Sequence, residues 1–260
     1  MNGPIADAVP PIILPPSAAL VPTVPFRLVE RLGDEVVRMA GILVAEGSPG
    51  TGKTCAVAEW CRHLEVPVIW LHLGDTAKGY EVLRALLVAL GEEETGRESV
   101  LLDRARTSLA ERRLLVVVDE AHLLNREALR QIRYLYDQRN AKFSLVLVGV
   151  DFRKPWDIAP ELESRATRQV KFEELRGAPL RAALAAFSPV LAATDPDLLQ
   201  RIDTECCRGN WRTWANVLET AIDRGATAAI GITPAVAAST LGSVPPTPSL
   251  RRALARGHRR

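Results

Sequence analysis

The chain has 260 residues, 47% of them hydrophobic and 25% charged, enough apolar surface for one large domain or two unequal ones, which excludes a chain without a packed core. A net charge of +2 is too small to demand a polyanionic partner, so any nucleic-acid contact must be argued from where the charges lie. No basic segment precedes an apolar leader, and no apolar run is long enough to span a bilayer, so the expectation is a cytoplasmic protein with no membrane partner. Cys55, Cys61, Cys206 and Cys207 lack zinc spacing and are expected to be reduced thiols.

Residues 1–25 form the first predicted segment, an extended arm broken by Pro4, Pro10, Pro11, Pro15, Pro16, Pro22 and Pro25, each of which fixes φ and removes a donor. Ile12, Ile13, Leu14 and Leu20 are apolar for a solvated tail. The arm is therefore a disordered leader, a strap along a neighbouring subunit, or a cover for its own domain. Phe26 to Met39 has helical spacing, with Leu28, Leu32, Val36 and Met39 on one face.

The short apolar run Ile42 to Ala45 leads into Gly47, Ser48, Pro49, Gly50, Thr51, Gly52, Lys53 and Thr54, which together complete the pattern GxxxxGK[ST]. Cys55 to Leu64 follows as a helix, so the motif has the strand-to-helix setting it needs. Glycines there let backbone N–H groups converge on phosphate oxygens, and the helix N-terminus adds positive dipole. The pattern places Lys53 on the β and γ phosphates of a nucleotide, with Thr54 as a magnesium ligand and Cys55 closing the loop.

Residues 67–73 read as a second strand, buried on both faces as in a parallel sheet. Helices are expected over Tyr80 to Leu90 and Glu98 to Arg112. A third strand, Leu114 to Val118, ends in Asp119-Glu120-Ala121-His122. Asp119 is placed to hold magnesium with Thr54, and Glu120 to orient and polarise an attacking water. His63, His72 and His122 form no ligand cluster and read as ordinary surface or strand residues. A helix over Asn125 to Gln138 and strands over Phe143 to Val148 and Thr167 to Phe172 complete an α/β domain spanning 26–172. Strands alternating with helices predict a three-layer parallel sheet with ligands at the strand C-termini.

Strand signals stop near Glu173. Helices over Pro179 to Phe187, Pro196 to Cys207, Trp211 to Arg224 and Pro234 to Leu241 predict a small helical domain at 173–241. Residues 242–260 carry Arg251, Arg252, Arg256, Arg259 and Arg260 without acidic partners, the composition of a disordered basic tail.

GSPGTGKT, VVVDEAH, LVLVG at 145–149, ELESR at 161–165 and GNWRTWANVL at 209–218 together resemble the AAA+ ATPases. Within them the sequence looks like the transposon target regulators of the MuB, TnsC and TniB type, with ExeA-type secretion ATPases close by. The resemblance covers roughly 26–241. It implies a P-loop core with a helical lid, ATP and Mg²⁺ as cofactors, and a homo-oligomeric ring or helical filament with ATP between subunits. Arg165 matches an arginine finger supplied in trans, with Arg168 a second candidate, and Arg212 matches the lid residue that senses nucleotide. The polar residue such proteins carry after the fourth strand is replaced here by Gly149-Val150-Asp151, which implies slow hydrolysis or help from another group.

The implied partners are double-stranded DNA, bound without sequence specificity, and a transposase. Arg126, Arg130 and Arg133, spaced i, i+4, i+7, form either a phosphate-tracking stripe or a solvated face. Thr76 and Lys78 lie where the resemblance puts DNA-backbone contacts, and Arg153 and Lys154 are candidates beside them. The alternatives are an ExeA-like ATPase of envelope assembly and a nucleotide-locked oligomeric scaffold.

Overall fold

The structure is a computed structural model, and it describes residues 9–71, 73, 78–110 and 112–245. Five strands, β1 (Ile42–Gly47), β2 (Val68–Leu71), β3 (Leu115–Val118), β4 (Ser144–Gly149) and β5 (Ala166–Phe172), form one sheet in the order β2-β3-β4-β1-β5. Every pairing in it is parallel. The apolar runs that announced β1, β3 and β4 are buried along nearly their whole length, because a parallel sheet is covered on both faces.

Side chains alternate across the sheet. Ile42, Val44, Ile69, Leu71, Val116, Val118, Leu145 and Leu147 join a core with the apolar faces of α3 (Gly79–Leu90), α4 (Glu98–Leu109) and α5 (Arg126–Tyr136). The opposite face meets α1 (Val24–Met39) and α2 (Lys53–Arg62), which pack on each other and on β1. A Cβ at Gly33 would fall 2.5 Å from the Trp60 ring, and Trp60 Nε1 donates to Asp34 Oδ1 at 2.9 Å, so the two helices are pinned by one indole. Two short helices, α6 (Arg153–Ile158) and α7 (Pro160–Glu163), lie between β4 and β5 where the sequence reading placed none.

By its internal contacts the chain divides into two compact units. One holds residues 1–12, 24–47 and 53–172; the other holds 13–23, 48–52 and 173–260. The second contains α8 (Gly177–Phe187), α9 (Pro189–Ala192), α10 (Pro196–Ile202), a π turn (Asp203–Cys207), α11 (Trp211–Asp223) and α12 (Pro234–Leu241). Leu180, Leu184, Phe187, Leu191, Ile202, Trp214 and Leu218 form its core.

The described part of the N-terminal arm covers its own unit, one of the three roles its composition allows. Leu14, Ala18 and Val21 pack on the helical core of their own unit, and Ala19 N donates to Phe187 O at 2.8 Å. Ile13 turns outward, 87% exposed. The helix predicted over Pro196 to Cys207 is broken at Asp203 by the π turn. The turn carries the carboxyl group of Asp203, 4% exposed, to where it accepts from Gly209 N at 2.7 Å and Trp214 Nε1 at 3.1 Å; a buried polar group holds its place at low cost only with such donors.

Candidate nucleotide site

Gly47 ends β1 and Lys53 opens α2, so the GxxxxGK[ST] segment runs from a strand C-terminus into a helix N-terminus. A Cβ at Gly47 would lie 2.1 Å from Phe172 O, so only glycine lets β1 pass β5 there. Gly50 and Gly52 have φ of +78° and +94°, values that L side chains resist. Thr51 Oγ1 donates to Ser48 O at 2.8 Å, which closes the loop on itself. Lys53, 8% exposed, donates from Nζ to Gly47 O at 2.7 Å, so its ammonium is folded across the loop backbone.

The second half of the site stands at the head of β3. Asp119, 5% exposed, receives the Glu120 N–H at 2.9 Å and the Thr54 hydroxyl at 3.5 Å, both on Oδ1. Two hard oxygen donors, one of them a buried carboxylate, are thus side by side, and that set suits Mg²⁺. Glu120 has φ +52°, a left-handed backbone uncommon outside glycine and asparagine. Its side chain is 56% exposed, and His122 Nδ1 is 3.4 Å from its Oε2.

At the head of β4, Asp151 is fully engaged by Arg153. It accepts from Arg153 N at 2.9 Å, from Nε at 3.1 and 3.0 Å and from Nη2 at 2.6 Å. That guanidinium holds the Asp151 carboxyl down to about 2. The position expected to carry a sensing polar group therefore presents an ion pair.

The predicted arginines are also spoken for. Arg165 Nε bonds Asp137 Oδ1, and its Nη1 donates to Glu161 O at 2.6 Å. Arg168 Nε donates to Glu35 Oε2 at 2.8 Å. Arg212 is exposed in the first turn of α11.

The proposed DNA-contacting residues scatter in state. Thr76 lies outside the described residues, as do His72 and the basic tail from 246 onward. Lys78 caps α3 and is exposed, its N–H donating to Glu81 Oε2 at 2.8 Å. On α5, Arg130 is exposed, Arg126 Nε donates to Ile158 O at 3.3 Å, and Arg133 pairs with Asp137 at 3.7 Å. Arg153 serves Asp151, and Lys154 is exposed beside it.

Sequence reasoning missed one residue against the loop. In the unit that holds residues 48–52, Asn210 Nδ2 donates to Pro49 O at 2.7 Å, Trp211 N donates to Gly50 O at 2.8 Å, and a Cβ on Gly50 would strike the Asn210 amide at 2.4 Å. Asn210 also caps α11 through Oδ1, which accepts from Thr213 N at 3.1 Å. The cap was legible as an asparagine before a helix; its second partner, 161 residues away in sequence, was not.

A central parallel strand feeding a phosphate loop, with an Asp-Glu pair two strands away, defines the α/β P-loop fold of the AAA+ ATPases. The family model described as AAA domain matches residues 37–153. Among solved structures, the chain is similar to the ORC2 protein of Aeropyrum pernix in its ADPNP-ADP complexes, with 16% identity and a TM-score of 0.61 over 91% of this chain and 71% of that one. It is similar to Drosophila ORC bound to DNA, with 19% identity and a TM-score of 0.58 over 83% of this chain and 59% of that one. A Walker-type ATPase of Pyrococcus abyssi gives 14% identity and 0.58 over 95% and 77%. At such identities the likeness is one of fold. No curated protein matches the sequence. Among the described residues, no helix is long and apolar enough to cross a membrane.

Proposed function

We propose that this chain binds ATP with Mg²⁺ and hydrolyses it slowly, assembles with ATP into a homo-oligomer on double-stranded DNA without reading its sequence, and presents that DNA to a transposase as a target. The observation that carries the nucleotide part is the convergence of Lys53, Thr54, Asp119 and Glu120 at the C-terminal ends of β1 and β3, on a loop with two glycines at positive φ. In this reading Lys53 leaves the Gly47 carbonyl for phosphate oxygens, Thr54 and Asp119 hold Mg²⁺, and Glu120 orients water. The ion would supply charge neutralisation on the phosphates. Residues 173–241 act as a lid that reports nucleotide through Arg212, and Arg165, or in second place Arg168, serves a neighbour's nucleotide.

The DNA part is supported by exposed Lys78, Arg130 and Lys154, and by the fold shared with an ORC structure bound to DNA. The transposase rests on the motif resemblance alone. A second reading, a nucleotide-locked scaffold with little turnover, is favoured by one observation: the Asp151–Arg153 pair occupies the sensing position.

Sedimentation velocity with and without MgATP and a random-sequence duplex tests the assembly. Large species are expected only when both are present, and Lys53→Ala should abolish them. ATP turnover that Glu120→Gln removes supports the enzyme; absent turnover with intact assembly supports the scaffold. Assembly that ignores DNA would overturn the proposal.

A further inference from the structure

We propose that His122 is the positioning residue for Glu120, supplying from the turn after β3 the polar restraint that β4 lacks. The inference deepens the ATPase reading and rests on it for its kinetic consequences. Three observations meet here. His122 Nδ1 is buried yet satisfies no hydrogen bond, while Glu120 Oε2 lies 3.4 Å from it. Buried ring nitrogens without partners are rare and costly. The atom is aimed at the one carboxylate in the site whose side chain makes no other hydrogen bond or ion pair among the described residues.

The ring also sits at the strand head in question. A Cβ on Gly149, the last residue of β4, would lie 2.8 Å from the Phe152 ring and 3.2 Å from His122 Cβ. The missing side chain thereby lets both Phe152 and the His122 residue pack against the head of β4. Val150 and Asp151 cannot do the work, the first for want of a polar atom and the second because Arg153 holds it. A short 3₁₀ turn, Ala121–Leu123, fixes His122 two residues from Glu120, and the left-handed backbone of Glu120 turns the two side chains to the same side. A shift of a few tenths of an ångström turns the contact into an Nδ1–H···Oε2 hydrogen bond. That bond leaves the other carboxylate oxygen for water, and catalytic contacts commonly tighten only when the nucleotide is bound.

The test uses the full chain and substitutions that separate the two ring nitrogens. Asparagine puts its amide near the Nδ1 position and glutamine near Nε2. His122→Gln is expected to lower kcat on the order of 10–100-fold, the size of effect that misaligned catalytic groups produce, with KM for MgATP changed less than twofold. His122→Asn should recover most of the loss. Independently of turnover, long-range ¹H–¹⁵N spectra of the imidazoles should show a protonated Nδ1 in a resonance that disappears in His122→Asn and shifts in Glu120→Gln. Native kcat in His122→Gln, no rescue by asparagine, or an Nδ1 signal indifferent to Glu120 would overturn the proposal. A native protein without turnover would sink the ATPase reading, and the spectra would still decide the hydrogen bond.

Discussion

Single residues set the character of the loop. Gly47 admits β5, Gly50 admits Asn210, and Glu120 bears a left-handed backbone that costs roughly 1–2 kcal/mol relative to glycine while Asp119 anchors its N–H at 2.9 Å. Cysteine chemistry gives a direct check on this corner. Cys61, Cys206 and Cys207 are buried, and Cys55, next to Thr54, is only half-buried. Burial pushes the Cys61 thiol up to about 12, and burial likewise raises that of Cys207. Only the thiolate is nucleophilic. N-ethylmaleimide at pH 8 should therefore modify Cys55 and spare Cys61 and Cys207, as read by peptide mass spectrometry. Saturating MgATP should slow Cys55 modification about tenfold or more, by mass action on the open loop, and Lys53→Ala should remove that protection. Unaltered Cys55 reactivity with nucleotide present would place the ligand elsewhere.

At the scale of elements, strands read easily and irregular turns did not. The apolar runs of β1, β3 and β4 carry their own signal because both faces are buried, whereas α6 and α7 hide behind Pro155 and Pro160, residues tolerated in a first helical turn but read as breakers. The motif half of the site was legible, since GxxxxGK[ST] and the Asp-Glu pair are local patterns. The contacts of Asn210 with Pro49 and of Arg165 with Asp137 depend on chain segments brought together only by folding, whereas the approach of His122 to Glu120 is local and hangs on the left-handed backbone of Glu120.

The packing of α4 on α5 supplies a pH-dependent example. Glu98, at the start of α4, bonds Gln131 of α5 and faces Glu127, and its carboxyl is raised above the usual 4.5, first by burial and then by that neighbouring charge. A carboxyl raised in the folded state binds its proton more readily there than in the unfolded chain, so it costs stability at neutral pH and the cost fades as pH falls toward its folded value. Glu98→Gln keeps the acceptor for Gln131 and removes the charge. It should raise the melting temperature at pH 7.5 by a few degrees, on the order of a sub-kcal gain, with the advantage shrinking steadily toward pH 4.5. An advantage that grows on acidification would mean that Glu98 is instead held ionised by a cation.

For the whole molecule, the proposed assembly turns on whether Arg165 can leave its own chain. It now bonds Asp137 and the Glu161 carbonyl, with the Arg165 side chain 34% exposed and that of Asp137 28%. Partly exposed pairs of this kind contribute about 0–1 kcal/mol, far less than a guanidinium gains on a triphosphate's developing charge, where an arginine finger is worth a factor on the order of a thousand or more in rate. In the proposed assembly the pair is a holding place that a neighbour's nucleotide would empty. Mixing distinguishes a finger acting in trans from an arginine serving its own chain. Arg165→Ala and Glu120→Gln should each be inert alone, yet an equimolar mixture assembled on duplex DNA with ATP should regain about a quarter of native turnover. In a head-to-tail assembly with random neighbours, that is the share of interfaces where an intact Glu120 meets an intact Arg165. A mixture as inert as its parts would exclude Arg165, and the same experiment with Arg168→Ala would then show whether freeing Arg168 from Glu35 completes the neighbouring site.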